Sequence, residues 1–532
     1  MKDAMAASKK PSKPKTPPKS GASKAKQPEL DAALFDALQE MLSEGRLGDL
    51  FDEPDTPQEL IEEIAALEAD ESRGLFEDLV DALSDMRIEA NSGNRQARQE
   101  VRELLSWLEQ RIEQPDLGGS KLVMVAQAFG AANLALGPSL QAAITRQLQE
   151  GSDGEDVGGR SLETLLEDLA DEMDGDPLEH FDALSHIAHY LSEEAKWEIA
   201  AKLASNQDPR LREMTLGFLL TADDRTAGVI CDALVASTEQ NPPESRLVSR
   251  LALVRALVLP DRAQRIDSVL AALRPHVVPS PPERAVKLTT VLASVPDGAG
   301  ATTIAASAKG RPSQTITLLI KTGLGIVEIS DLEGITGQRL KMLFAQSDIR
   351  AHPASQSHVA TRLAAAVAEN WEGGTPVPPL LVRFMELLEL STLPANDFEP
   401  EVLFDEILSG VLLDVSSLEN QRTALQKLQD EGTLVETWFE ANDEIDALLS
   451  KIRSRDKRLE ALLTSYLPTR RWFWIRQCAW TAGILREQKG RDGKLAVWVA
   501  VLGKQLCSTR PLAESPLMQA VAEGTIKAFM LQ

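Results

Sequence analysis

From Ser161 onward the chain repeats a short cycle: an amphipathic stretch of roughly 12–15 residues, then a turn carrying Pro, Asp or Gly. Starts fall near 178, 193, 209, 223, 244, 261 and 281, and pairing them gives a unit of about 35–40 residues. A unit this short cannot bury its apolar face alone, so the cycle predicts helix pairs stacked on one another. Composition points the same way. Hydrophobic residues make up 43% and aromatics only 4% of the chain, and Ala and Leu dominate over the β-branched and aromatic residues that sandwiches and barrels use. The expected fold class is all-α: an α-solenoid of stacked helix pairs over 161–390, with additional N- and C-terminal helical modules. Only 323–335, GLGIVEISDLEGI, reads as a strand or irregular connection.

The sharpest local signal within the array is Asp208-Pro209-Arg210-Leu211-Arg212. Asp is suited to cap a helix, Pro to occupy its first position, and Leu to pack inward. This run resembles the inter-helix turn of HEAT repeats, with a weaker echo at Asp223-Asp224-Arg225. The resemblance is concentrated over 193–236 and is only periodic beyond it. It implies a HEAT-like architecture, whose concave surface commonly takes protein partners.

Breaks in composition divide the rest. Residues 1–28 hold eight Lys against the single acid Asp3, about +7, with several Pro and no large apolar residue beyond Met. Such a segment cannot offset its ordering entropy by burial and is expected to be a disordered basic tail. Residues 29–150 read as an N-terminal helical domain: Thr56-Pro57 opens a helix whose buried stripe is Leu60, Ile64 and Leu67, and Val101, Leu104, Leu105 and Leu108 form another. Residues 151–160 are Gly-rich and read as a linker, and 391–532 as a C-terminal helical region.

The net charge of −25 argues against nucleic-acid binding by the body, since phosphate contacts need a basic face. Cys231, Cys478 and Cys507 stand far apart without a C-x-x-C pair, which fits a reducing compartment. No apolar run reaches the ~18 residues of a membrane span and none resembles a signal peptide, so the expected location is cytoplasmic, without membrane insertion.

Candidate chemistry is sparse. On a helix, Asp182, His186, His189 and Glu193 share one face, a spacing able to hold a divalent metal only with ligands from a neighbouring helix. Leu184, Ile187 and Leu191 occupy the opposite face, so the stripe reads more simply as solvated surface. Residues 161–195 hold eleven Asp and Glu and no Lys or Arg, an acidic face or a dock for a basic partner, without EF-hand spacing. Gly298-Ala299-Gly300-Ala301-Thr302-Thr303 has the outline of a phosphate loop but carries Ala where the Lys belongs, and reads as an inter-helix turn. No cofactor is implied, and no nucleophile–base motif appears.

The most unusual stretch is 470–480, RRWFWIRQCAW, holding three of the eight Trp. Arg470, Arg471, Trp472, Trp474 and Arg476 combine the residue types that dominate binding hot spots, and a helix with aromatics on both faces also suits a core. These features favour a non-enzymatic interaction scaffold or adaptor for a protein partner. The alternatives are a metal-dependent enzyme using His186 and His189, and a nucleic-acid-associated factor using the basic tail and the Trp/Arg stretch. No coiled-coil heptad run specifies an oligomer.

Overall fold

The computed structural model describes residues 56–67, 74–91, 95–112, 114, 117, 120–132, 134, 136–137, 140–141, 170, 175–181, 193–280, 287–310, 313–332, 334–346, 349–431 and 433–531. The basic tail, the Gly-rich linker and most of the acidic run, including Asp182, His186 and His189, lie outside them.

Four helices open the described chain: α1 (Pro57–Ala66), α2 (Leu75–Asn91), α3 (Arg95–Arg111) and α4 (Ser120–Ala131). Leu60, Ile61 and Ile64 of α1 and Leu104 and Leu108 of α3 are buried in a core that these helices share with Val125 and Phe129 of α4. Arg111 closes the bundle with a two-pronged pair to Glu62, at 2.8 and 2.9 Å.

A second helical run follows: α5 (Glu193–Ala204), α6 (Pro209–Thr221), α7 (Asp224–Ala236), α8 (Ser245–Arg255) and α9 (Pro260–Leu273). At α6 the Asp208 carboxylate accepts from the N–H of Arg210, Pro209 takes the first helical position, and Leu211 is 1% exposed. Arg212 points back into the array and donates to the Asn241 and Pro242 carbonyls at 2.9 and 3.2 Å. Asp223 caps α7 in the same way, accepting from the N–H groups of Arg225 and Thr226.

The all-α solenoid expected over 161–390 is overturned. Between Lys287 and Pro353 the chain builds a five-stranded antiparallel sheet of order β4-β3-β2-β1-β5. Its strands are β1 (Lys287–Ser294), β2 (Ala301–Lys309), β3 (Gln314–Lys321), β4 (Gly325–Asp331) and β5 (Ala351–Pro353). The strands are rich in Thr, Val and Ile, whose branched side chains fit a pleated surface. Alternation is hidden because both faces are covered. Ile304 and Ala306 of β2 enter the main core, while Ala305 packs with Leu292 and Leu340 beneath α10 (Gly337–Gln346). The stretch with the outline of a phosphate loop is the turn between β1 and β2, not an inter-helix turn. Gly300 there sits at φ +83°, and any side chain would collide with Gln477.

The core side of the sheet is covered by α11 (Gln356–Gly373) and α12 (Leu381–Leu387), followed by α13 (Pro400–Leu408). The C-terminal region comprises α14 (Leu418–Gln429), α15 (Asp443–Leu449), α16 (Arg455–Ala461), α17 (Arg471–Arg486), α18 (Arg491–Leu506) and α19 (Pro516–Leu531). Array, sheet and C-terminal helices share one continuous core. Among the described residues no helix is long and apolar enough to cross a membrane.

Candidate functional site

The Trp/Arg stretch forms α17, and the structure turns most of it inward. Trp474 is fully buried and its indole N–H donates to Glu440 at 2.8 Å. Arg470 pairs with Glu440 at 3.1 Å and lies over Phe473, 4.0 Å from its ring centre. The Arg471 guanidinium donates to the carbonyls of Leu506, Ser508 and Arg510, closing the end of α18. Arg476 pairs with the buried Glu369 of α11. Only Trp472, 57% exposed, is offered to solvent. Other charges of the basic segment are also matched within the chain: Lys504 meets Glu401 and Asp405, and Arg486 meets Glu406 at 2.9 Å.

Of the proposed metal stripe, only Glu193 lies among the described residues, where it is exposed and accepts from Lys196 at 2.8 Å. No group of three or more His, Cys, Asp or Glu among the described residues is placed to hold a metal ion. Cys231 and Cys478 are buried, and burial pushes the Cys231 thiol up to about 11 and that of Cys478 higher still, so both stay protonated.

From the acidic run, Asp176 is directed into a buried ion cluster rather than to solvent. Arg250, 2% exposed, binds Asp176 at 2.9 Å, Glu213 at 3.1 Å and Glu386 at 2.8 Å. Arg246 reaches Asp176 and Glu213, and Arg383 reaches Asp176, Glu179 and Asp331. Five carboxylates thus face three guanidiniums, and they come from α6, α8, α12, β4 and the start of the short helical stretch at 176–181. Burial works to raise the Asp176 carboxyl, but the hydrogen bond and charge of Arg250, with Arg383 and Arg246, outweigh it and hold the group at about 2. Glu213 has the opposite balance. Burial pushes it up to about 7, and Arg250 and Arg246 cannot reverse this because Asp176 and Glu386 share the same guanidiniums.

One cavity of about 470 Å³ is lined by His358, Phe398 and Trp480. Phe398 stacks on Trp480 at 3.8 Å and the Arg362 guanidinium lies 4.6 Å over the same indole, so both ring faces are already occupied. Burial pulls the His358 imidazole down to about 4, leaving it neutral.

A larger groove, of about 860 Å³, runs beside β4. Its floor is Ile326, Val327, Glu328 and Ile329. A sheet face would contribute alternate residues, so four in succession place the groove along the free edge of the strand. One wall is Phe76 of α2 with Gln127, Gly130 and Ala131 of α4, and the other is the loop Thr375, Pro376, Pro378 and Pro379 ahead of α12. Phe76, Ala131, Val327 and Pro376 are far apart in sequence, and no local pattern in the chain signals their meeting.

Comparison with known proteins identifies two stretches. Residues 192–276 match the model of the Y4lR second domain, and residues 416–530 match that of the Y4lR C-terminal helical domain. The chain is similar to Y4lR proteins over α5–α9 and α14–α19, and neither model is a HEAT-repeat family. No curated protein and no solved structure matches.

Proposed function

We propose that this protein is a non-enzymatic scaffold or adaptor that binds a protein partner. The observation that carries this reading is the groove beside β4, an open and mainly apolar channel of about 860 Å³ bordered by a strand edge that pairs with no other strand among the described residues. Such edges are templates for association unless they are covered. In addition, the Arg side chains of the C-terminal Trp/Arg stretch are committed to Glu440, Glu369 and main-chain carbonyls, which leaves little basic surface there for nucleic acid. Three unpaired cysteines favour a reducing, cytoplasmic setting.

The test is photo-crosslinking in the native cell. A photoreactive residue replaces Leu324, which is 57% exposed and lines the groove, or Leu412, which is 100% exposed and does not. Discrete adducts at Leu324 and none at Leu412 are expected. Equal labelling at both positions, or no adduct at Leu324, removes the scaffold reading.

A further inference from the structure

We infer that the groove beside β4 binds an uncharged, extended peptide segment of a partner protein, added to the sheet as a sixth strand; this rests on the scaffold reading and names its partner chemistry. The main chain of β4 shows where pairing would occur. The N–H of Leu332 donates to the carbonyl of Thr315 at 2.7 Å, which sets the phase of the β3–β4 ladder. With Thr317 opposite Ser330 and Leu318 opposite Ile329, alternation turns Ser330 toward β3 and the N–H and C=O of Ile329 away from it. The register then jumps from Leu319↔Glu328 to Ile320↔Ile326, so Val327 is the extra residue of a β-bulge.

Beyond the bulge, Ile326 also turns its main chain outward, and there the edge is closed. Asn370, fully buried, accepts from the Ile326 N–H at 2.8 Å and donates to its C=O at 3.2 Å. Among the described residues nothing bonds the outward groups of Ile329 in this way. One position of the edge is therefore capped by a side chain, while the next outward position, in the groove, is left for a ligand. Both N–H and C=O are offered there, the pair that an added strand uses.

Charge selects the occupant. Among the described residues Glu328 is the only titratable one lining the groove, and Arg87 already holds it at 2.8 Å. The rest of the lining is apolar apart from Gln127 and Thr375. A charged side chain entering this channel would lose hydration without gaining a partner. The small Gly130 and Ala131 leave room for modest side chains on the wall facing β4.

The probe is a fluorescent nine-residue peptide alternating Val and Thr, blocked at both ends, titrated onto the full chain. Saturable binding is expected. N-methylation of alternate residues in one register should weaken it by about tenfold or more, and in the other register should leave it unchanged, because only one edge of the peptide faces β4. Replacing the Val residues with Lys or Glu should abolish binding. Ala131→Trp, at an exposed wall position, should fill the groove and block the peptide, and Ile329→Pro should remove the outward N–H without touching the β3 ladder. The inference is overturned by no binding, by equal loss in both N-methyl registers, by indifference to Ala131→Trp, or by a self-association sensitive to Ala131→Trp, which would make a second copy the occupant. Any of these results alongside adducts at Leu324 leaves the scaffold reading standing.

Discussion

Glu440 is 3% exposed and accepts from Trp474 at 2.8 Å, from the Tyr466 hydroxyl at 2.6 Å and from Arg470 at 3.1 Å. The three donors stand four residues apart along one continuous helical segment running into α17, so Glu440→Leu would strand all three at once. A loss of about 3–5 kcal/mol is expected, read as a lowered midpoint in chemical denaturation; a change near zero would show that the network contributes nothing. Arg362 is the contrasting case. It is 1% exposed, and among the described residues its Nε and Nη1 are buried without hydrogen-bond partners while Nη2 donates to Thr322 at 3.2 Å. Burial pulls this guanidinium down to about 10, despite Glu369. A buried charge so poorly matched is replaceable, and Arg362→Met is expected to be neutral or stabilising by about 1–3 kcal/mol. Destabilisation on that scale would mean ordered water completes the site.

At the scale of elements, the helices of the array were legible because their ends are written in local chemistry. Asp208 and Pro209 sit where the sequence places them, and Asp208→Ala is expected to cost about 1 kcal/mol, measurable as a shift in the thermal midpoint of the full chain. The sheet was not legible for a physical reason. Residues 304–308 of β2, Ile-Ala-Ala-Ser-Ala, are buried without a break, and an Ala-rich run of this kind gives no period-2 signal to separate it from a helix. The Thr-rich strand starts at 289–290 and 302–303 were the available cue. The buried ion cluster depends on tertiary meeting alone, yet it carries a pH signature. Glu213 titrates near 7 when folded and near 4.5 when unfolded, so the folded state binds more protons in that interval. Its contribution is therefore full below 4.5, declines as pH rises toward 7, and amounts to at most about 3 kcal/mol. Asp176 acts in the other window, its contribution being lost as pH falls from 3.8 toward 2. Glu213→Gln should flatten the stability profile between pH 5 and 7 in denaturant titrations; an unchanged slope there would assign the dependence to other groups.

At the scale of the molecule, the groove owes its shape to how the N-terminal bundle is held. The bundle has its own apolar core, separate from the continuous core of array, sheet and C-terminal helices. Ion pairs span the junction: Arg87 to Glu328 at 2.8 Å, Arg98 to Asp446 at 3.0 Å and Arg102 to Asp443 at 3.0 Å. Arg102 and Asp443 are both largely exposed, a pair worth under about 1 kcal/mol, and salt screens it readily. Arg98 and Asp446 are mostly shielded and should persist longer. Because one groove wall belongs to α2 and α4 and the floor to β4, loosening this junction widens the channel and uncovers the strand edge. Raising NaCl from about 0.05 to 1 M should therefore loosen the bundle while leaving the β2 amides protected from hydrogen exchange. The same change should weaken the uncharged Val/Thr peptide, whose own contacts carry no charge for salt to screen. A peptide affinity that rises or holds steady across that range would show that the bundle is fixed by packing and that its ion pairs do not set the width of the groove.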